Sequence, residues 1–183
     1  MSTDKRLIGV VPFGEVPEIA LKVIAAHTSA YLNLPSQILP SLKRPEYALD
    51  ERRYQYDAGI IIEALESMHL KDYEKVIGVL NLDLFIPIFT HVFGEAKTGG
   101  KFALVSLFRL WKNPDGSFPP PSRVYERVVK VALHELGHLF DLLHCEHKRC
   151  LMHFSGSIEE LDEQAPYLCR YCSIYLQDKL NPD

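Results

Sequence analysis

The sequence predicts a mixed fold of the α+β or α/β kind, a twisted sheet covered by helices. Three observations carry this. Apolar runs and amphipathic segments alternate as strand, helix, strand, helix, strand through residue 80, an order that favours an α/β sheet. Two strand-like runs then flank a glycine-rich stretch, which marks a hairpin with one antiparallel strand. A helix with apolar faces follows and carries two histidines four residues apart.

Residues 5–11 are rich in branched side chains and read as a buried strand. Residues 17–32 place Ile19, Leu21, Val23, Ile24 and Tyr31 at helical spacing, with Pro17 suited to a first turn. A polar stretch containing Pro35, Pro40 and Pro45 leaves room for one short strand. Residues 54–70 read as a second helix with Ile60, Ile61, Ala64, Leu65 and Met68 on its inner face, and residues 75–80 as a strand. Residues 88–93 and 102–108 form the two arms of the expected hairpin, and residues 94–100 its turn. The Asn113-Pro114-Asp115-Gly116 and Pro119-Pro120-Pro121 runs exclude regular structure and mark a loop leading into the last long helix. That helix begins near Arg123, with Val124, Val128, Val131, Leu136, Leu139 and Phe140 as its apolar positions.

A chain of 183 residues that is 47% hydrophobic and 24% charged fits one soluble globular domain. Its net charge of −4 supplies no basic surface for nucleic acid or anionic lipid. No apolar run reaches the ~18–20 residues of a membrane span. The short apolar run after the charged N-terminus is not a signal-peptide core, so the expected location is cytoplasmic, and the expected state a monomer. All four cysteines fall at positions 145–172; in a reducing compartment such clustering points to metal rather than disulfides.

The chemistry concentrates in His134-Glu135-Leu136-Gly137-His138, followed by His144. Residues i and i+4 share one helix face, so both imidazoles reach a single ion. Zinc binds nitrogen at about 2.0–2.1 Å, and a catalytic site takes three protein ligands and leaves a fourth position for water. Glu135 stands where its carboxylate reaches that water without occupying the metal, as a general base requires. On an unbroken helix His144 would lie roughly 9 Å along the axis from His138, out of reach. The helix must therefore end between them and turn back. Asp141 occupies the turn position, and aspartate tolerates left-handed backbone better than most residues. A helix that continued would instead put Asp141 near the His138 face as a ligand's hydrogen-bond acceptor. Glu159 or Glu160 would supply the third ligand in the other common arrangement of this motif. His27, His69, His91, His147 and His153 belong to no pattern.

The pattern from His134 to His144 is similar to the long zinc signature of the metzincin metallopeptidases, which have glycine where this chain has Asp141. Cys145 directly after His144, then Cys150-Leu151-Met152, then Cys169-Arg170-Tyr171-Cys172, narrow the resemblance to the archaemetzincins. The resemblance implies a metzincin-like mixed twisted sheet with an active-site helix and a small C-terminal lobe stapled by zinc. It implies that His134, His138 and His144 bind catalytic zinc, that Glu135 is general base and acid, and that Met152 forms the Met-turn beneath the metal. One metalloprotease domain then spans residues 1–183, with an N-terminal lobe at 1–144 and a C-terminal lobe at 145–183.

Cys145, Cys150, Cys169 and Cys172 match the ligand complement of a closed tetrahedral zinc site, so two zinc ions are expected, one catalytic and one structural. Two functions from different classes compete. One is a zinc metallopeptidase acting on peptide or protein substrates, with the antiparallel strand of the 88–108 hairpin holding an extended peptide. The other is a zinc-binding scaffold whose catalytic site is restrained, a reading kept open by Asp141 and opposed by the presence of Glu135.

Overall fold

A computed structural model describes residues 6–181. A five-stranded sheet forms the spine. Its strands are β1 (Ile8–Phe13), β2 (Ser36–Ile38), β5 (Lys75–Leu80), β8 (Gly94–Ala96) and β9 (Phe102–Ser106), in the order β2-β1-β5-β9-β8. All neighbours run parallel except β8, which is antiparallel to β9 and forms the edge. A second sheet, ordered β3-β4-β6-β7, is built from β3 (Leu49–Asp50), β4 (Gln55–Asp57), β6 (Leu84–Ile86) and β7 (Phe89–Val92). Helices α1 (Glu18–Leu32) and α3 (Pro121–Leu139) cover one face of the main sheet. Helix α2 (Ala58–Glu66) and the second sheet cover the other. Two shorter helices, α4 (Ile158–Glu163) and α5 (Arg170–Leu180), close the tail.

The sheet has a separate apolar cluster on each face, which explains why β1, β5 and β9 are buried almost without alternation. Ile8, Val10, Ile77, Val79, Ala103 and Val105 face α1 and α3. Val11, Phe13, Val76, Leu80, Phe102 and Leu104 face α2.

Several boundaries differ from the sequence expectation for identifiable reasons. Lys5 lies outside the described residues, and β1 continues through Pro12 to Phe13. Pro12 faces the β2 side beyond Ile38, where no ladder partner needs its missing N–H, while its carbonyl accepts from Leu42 N at 2.8 Å. The second helix starts at Ala58 rather than residue 54, because Gln55–Asp57 pairs with two strands and the Asp57 carboxylate caps the helix by accepting from Gly59 N and Ile60 N. Ile60 and Met68, expected inside, are exposed; Ile61, Ile62 and Leu65 form the true inner face. The expected hairpin is corrected as well. Residues 89–92 pair with β6 in the second sheet, and Gly94–Ala96, read as part of the turn, is the strand that pairs with β9.

Candidate metal centre and active-site cleft

Helix α3 starts with Pro121 in its first turn and buries nearly every residue from Arg127 to Leu139. It ends in the hydrogen-bond pattern of a Schellman motif: Asp141 N donates to His138 O and Leu142 N to Gly137 O, both at 3.0 Å. Asp141 sits at the left-handed position with φ 66°, where glycine is the usual occupant. The turn reverses the chain and carries His144 back to the helix.

The consequence is a triangle of imidazoles. His138 Nε2 lies 3.1 Å from His134 Nε2 and 3.2 Å from His144 Nε2. Nitrogens around a tetrahedral zinc at 2.0–2.1 Å stand about 3.3 Å apart, so the spacing suits one ion. Two of the rings are oriented from behind: His134 Nδ1 donates to Leu151 O at 2.8 Å and His138 Nδ1 to Leu142 O at 2.7 Å. With the ring proton on Nδ1, His134 and His138 each turn an Nε2 lone pair toward the same point as His144 Nε2, an arrangement that a shared cation satisfies. Burial and the neighbouring His138 imidazole hold His134 down at about 3, and burial also lowers His138 and His144. The rings are therefore neutral, the form that binds metal.

Glu135, buried and next to the first histidine, lines the same cleft of about 440 Å³. A Cβ on Gly94 of the edge strand would come within 2.6 Å of Glu135 Cγ, so glycine there is what leaves the carboxylate its space. Burial first, and the nearby Glu95 carboxylate second, push the Glu135 carboxyl well above the usual range. Met152 is fully buried beneath the helix; a Cβ on Gly137 would meet its Sδ at 2.5 Å.

The four cysteines form a second group, with Cys145, Cys150, Cys169 and Cys172 Sγ atoms all within 4.8 Å of one another. The cysteines are free, and the 3.8 Å between Cys145 and Cys169 Sγ is far longer than a disulfide. It matches the separation of about 3.8 Å expected for thiolates on a tetrahedral zinc at 2.3 Å. Glu159 and Glu160 lie apart from the histidine group.

Two features had no signal in the sequence. Glu95 enters the cleft from β8, a segment read as a turn. Phe154 stacks on Phe89 at 5.6 Å between ring centres and lies edge-on to His144 at 5.4 Å, joining the second sheet to the third histidine. The loop before α3 borders an adjoining hollow through Trp111, Lys112 and Phe118, and this hollow shares His91, Phe93 and Gly156 with the main cleft.

Comparison with known proteins agrees with this geometry. The family model of Peptidase family M54 matches residues 15–178. An archaemetzincin from Methanopyrus kandleri is 37% identical over 169 residues, covering 91% of this chain and 93% of that protein. The crystal structure of the M. kandleri archaemetzincin superposes with a TM-score of 0.86 at 35% identity, covering 98% of each chain. A zinc-dependent peptidase from Methanocorpusculum labreanum gives 0.82 at 30% identity, covering 92% of this chain and 99% of its own. Fold and site together define a zinc-dependent metallopeptidase, a hydrolase that acts on peptide or protein substrates. The chain belongs to Peptidase family M54, and its relatives are archaemetzincins. The competing scaffold reading gains nothing from any of these observations.

Proposed function

We propose that the protein hydrolyses peptide bonds with His134, His138 and His144 holding a catalytic zinc and Glu135 as general base and acid. Cys145, Cys150, Cys169 and Cys172 hold a second, structural zinc, and Met152 forms an apolar floor beneath the histidines. The observation that carries this reading is the convergence of three Nε2 atoms on one point in the cleft that Glu135 lines. When bound there, zinc supplies Lewis acidity, polarising a carbonyl and lowering the pKa of water towards ~7. The Glu135 carboxylate accepts the proton of the attacking water and returns it to the departing amide nitrogen. Leu151 O and Leu142 O fix the orientation of two rings throughout.

Strand β8 is the docking edge for an extended substrate. Ser106 N donates to Phe93 O at 2.8 Å, which makes 93 and 106 a hydrogen-bonded pair. Antiparallel alternation then turns Glu95 towards β9 and leaves the backbone groups of Gly94 and Ala96 facing the open edge. A peptide added there completes the ladder beside Glu135. The protein is read as one catalytic domain with lobes at 1–144 and 145–183, working as a cytoplasmic monomer without nucleic acid or membrane. The net charge of −4 supports this, as does the absence, among the described residues, of any helix long and apolar enough to cross a membrane.

The test is cleavage of a diverse peptide library by zinc-loaded wild type and Glu135→Ala protein, read by mass spectrometry. Products present with wild type and absent with the variant are expected. Equal products from both, or none from either, would overturn the assignment of Glu135.

A further inference from the structure

Glu95 sits on the edge strand β8 and lines the cleft, half-buried. Among the described residues its carboxylate has no hydrogen bond and no ion pair. Burial pushes its carboxyl up with no cation nearby to offset it, and its charge is felt at Glu135. A carboxylate held part-buried and unpaired costs free energy unless something else supplies the partner.

The register says where that partner comes from. Glu95 pairs with Leu104, whose side chain lies in the cluster under α2, whereas Gly94 and Ala96 pair with Val105 and Ala103, which face α3. Cross-strand partners point to the same face, so Glu95 projects to the α2 side of the edge and Gly94 and Ala96 to the side of Glu135. A peptide bonded to the free backbone groups of Gly94 and Ala96 has one residue directly opposite Glu95. That residue stands in a non-hydrogen-bonded pair, where Cα atoms approach to about 4.5 Å and side chains come closest. Its side chain leans over Glu95.

We propose that Glu95 is a specificity-determining residue that selects a cationic side chain, lysine or arginine, at the substrate position paired opposite it. This rests on reading β8 as the docking edge of a peptidase. The substrate ammonium or guanidinium supplies the ion pair that the fold leaves open, while residues opposite Gly94 and Ala96 turn towards the metal centre. A preference for basic residues at one fixed distance from the cut follows.

The experiment uses zinc-loaded protein and neutral peptides in which Lys, Met or Glu is scanned through each position around the cleaved bond. Wild type is expected to favour Lys over Met at one position by about fivefold in kcat/KM, the upper range of a cross-strand charge pair. Glu95→Gln, which keeps shape and removes charge, is expected to level that position to within about twofold, and Glu95→Lys to reverse the preference towards Glu. Binding of the same peptides to zinc-loaded Glu135→Ala protein, by fluorescence anisotropy, reads the preference without turnover. Failure of catalysis and failure of selection are thus separate results. A Lys preference that survives Glu95→Gln, or no preference in either assay, overturns the proposal. So does a preference that vanishes on N-acetylation and ignores Lys, since it would assign the carboxylate to the substrate's terminal ammonium.

Discussion

Asp141 concentrates the local conflict of this chain in one residue. The helix-ending turn requires left-handed backbone, and an L-residue with a Cβ pays roughly 1–2 kcal/mol to adopt it. Aspartate adopts this conformation more readily than most residues with a Cβ. Here Asp141 Oδ2 accepts from Lys179 Nζ at 2.8 Å, and Lys179 holds the carboxyl below its usual range. The pair is 39% and 44% exposed, so solvent screening leaves it little weight in stability. The opposing loop is shaped to the same residue: Gly99 has φ 69°, donates its N–H to His138 O at 2.9 Å, and would bring a Cβ within 2.5 Å of Asp141 Oδ1. Asp141→Gly removes the strain and the ion pair together, so its stability should stay within about 1 kcal/mol of wild type. Asp141→Val meets the full left-handed penalty, and thermal unfolding of the zinc-loaded protein should show a midpoint lower by about 2–8 °C. A valine variant as stable as wild type would mean that the turn is held by its surroundings and not by residue 141.

Helix α3 shows at the scale of an element what could and could not be read in advance. The spacing of His134 and His138 and the apolar positions around Val128 belong to the helix's own sequence, and the structure has them where periodicity placed them. The start is earlier than expected, since Pro121, read as loop, opens the first turn, where its missing N–H needs no partner. Periodicity gave no reason to bury Arg127 and Lys130, yet each is only 1% exposed. The partners of Arg127 lie 14 to 35 residues away. Lys130, besides its ion pair with Glu126 one turn back, reaches carbonyls 31 and 32 residues along the chain, and a window of local sequence carries no record of such distant partners. Arg127 uses all five N–H groups: two to the Asp162 carboxylate at 2.8 and 2.7 Å, one each to Leu110 O and Lys112 O, and one to Asn113 Oδ1. Lys130 donates to Leu161 O and Asp162 O. The same blindness to distant partners hid β8 and β4, whose existence depends on the strands beside them. Arg127 thus ties the active-site helix to the preceding loop and to α4, two turns before His134 on the same helix face. Arg127→Met should destabilise the protein by about 3 kcal/mol, the low end for breaking a buried pair because Asp162 is 27% exposed. Burial pushes the Asp162 carboxyl up, but the Arg127 guanidinium outweighs this and keeps it below the usual range. Its contribution is accordingly present above about pH 4 and lost as pH falls through its lower folded value. Denaturant titrations across that range should show the acid-side loss in wild type and a smaller one in Asp162→Asn. Parallel pH curves for the two proteins would remove the pair from this account.

Across the whole molecule, the short segment following the turn belongs to both metal groups at once. His144 is followed immediately by Cys145, whose N–H donates to Met152 O at 2.8 Å. Leu151, one residue earlier, orients His134 through its carbonyl and donates its own N–H to Tyr167 O at 3.0 Å. Cys150 Sγ accepts from Cys169 N at 3.3 Å, which brings the start of α5 against the same segment. The proposed four-thiolate site therefore clamps the backbone that presents one histidine and orients another. If the clamp is lost, the histidine triangle must be assembled from a looser chain, and zinc binding there must also bear the cost of ordering it. In the Cys169→Ser, Cys172→Ser protein the remaining zinc should bind about 10- to 100-fold more weakly, the range seen when groups that orient metal ligands are removed. Competition against a chromophoric chelator, with metal content measured separately, reads this without any substrate. Wild-type protein is expected to hold two ions, the histidine-bound one exchanging faster because its site is open. A double variant that holds one zinc with unchanged affinity would show that the histidine site is organised by α3 and its turn alone, with the tail contributing only to overall stability.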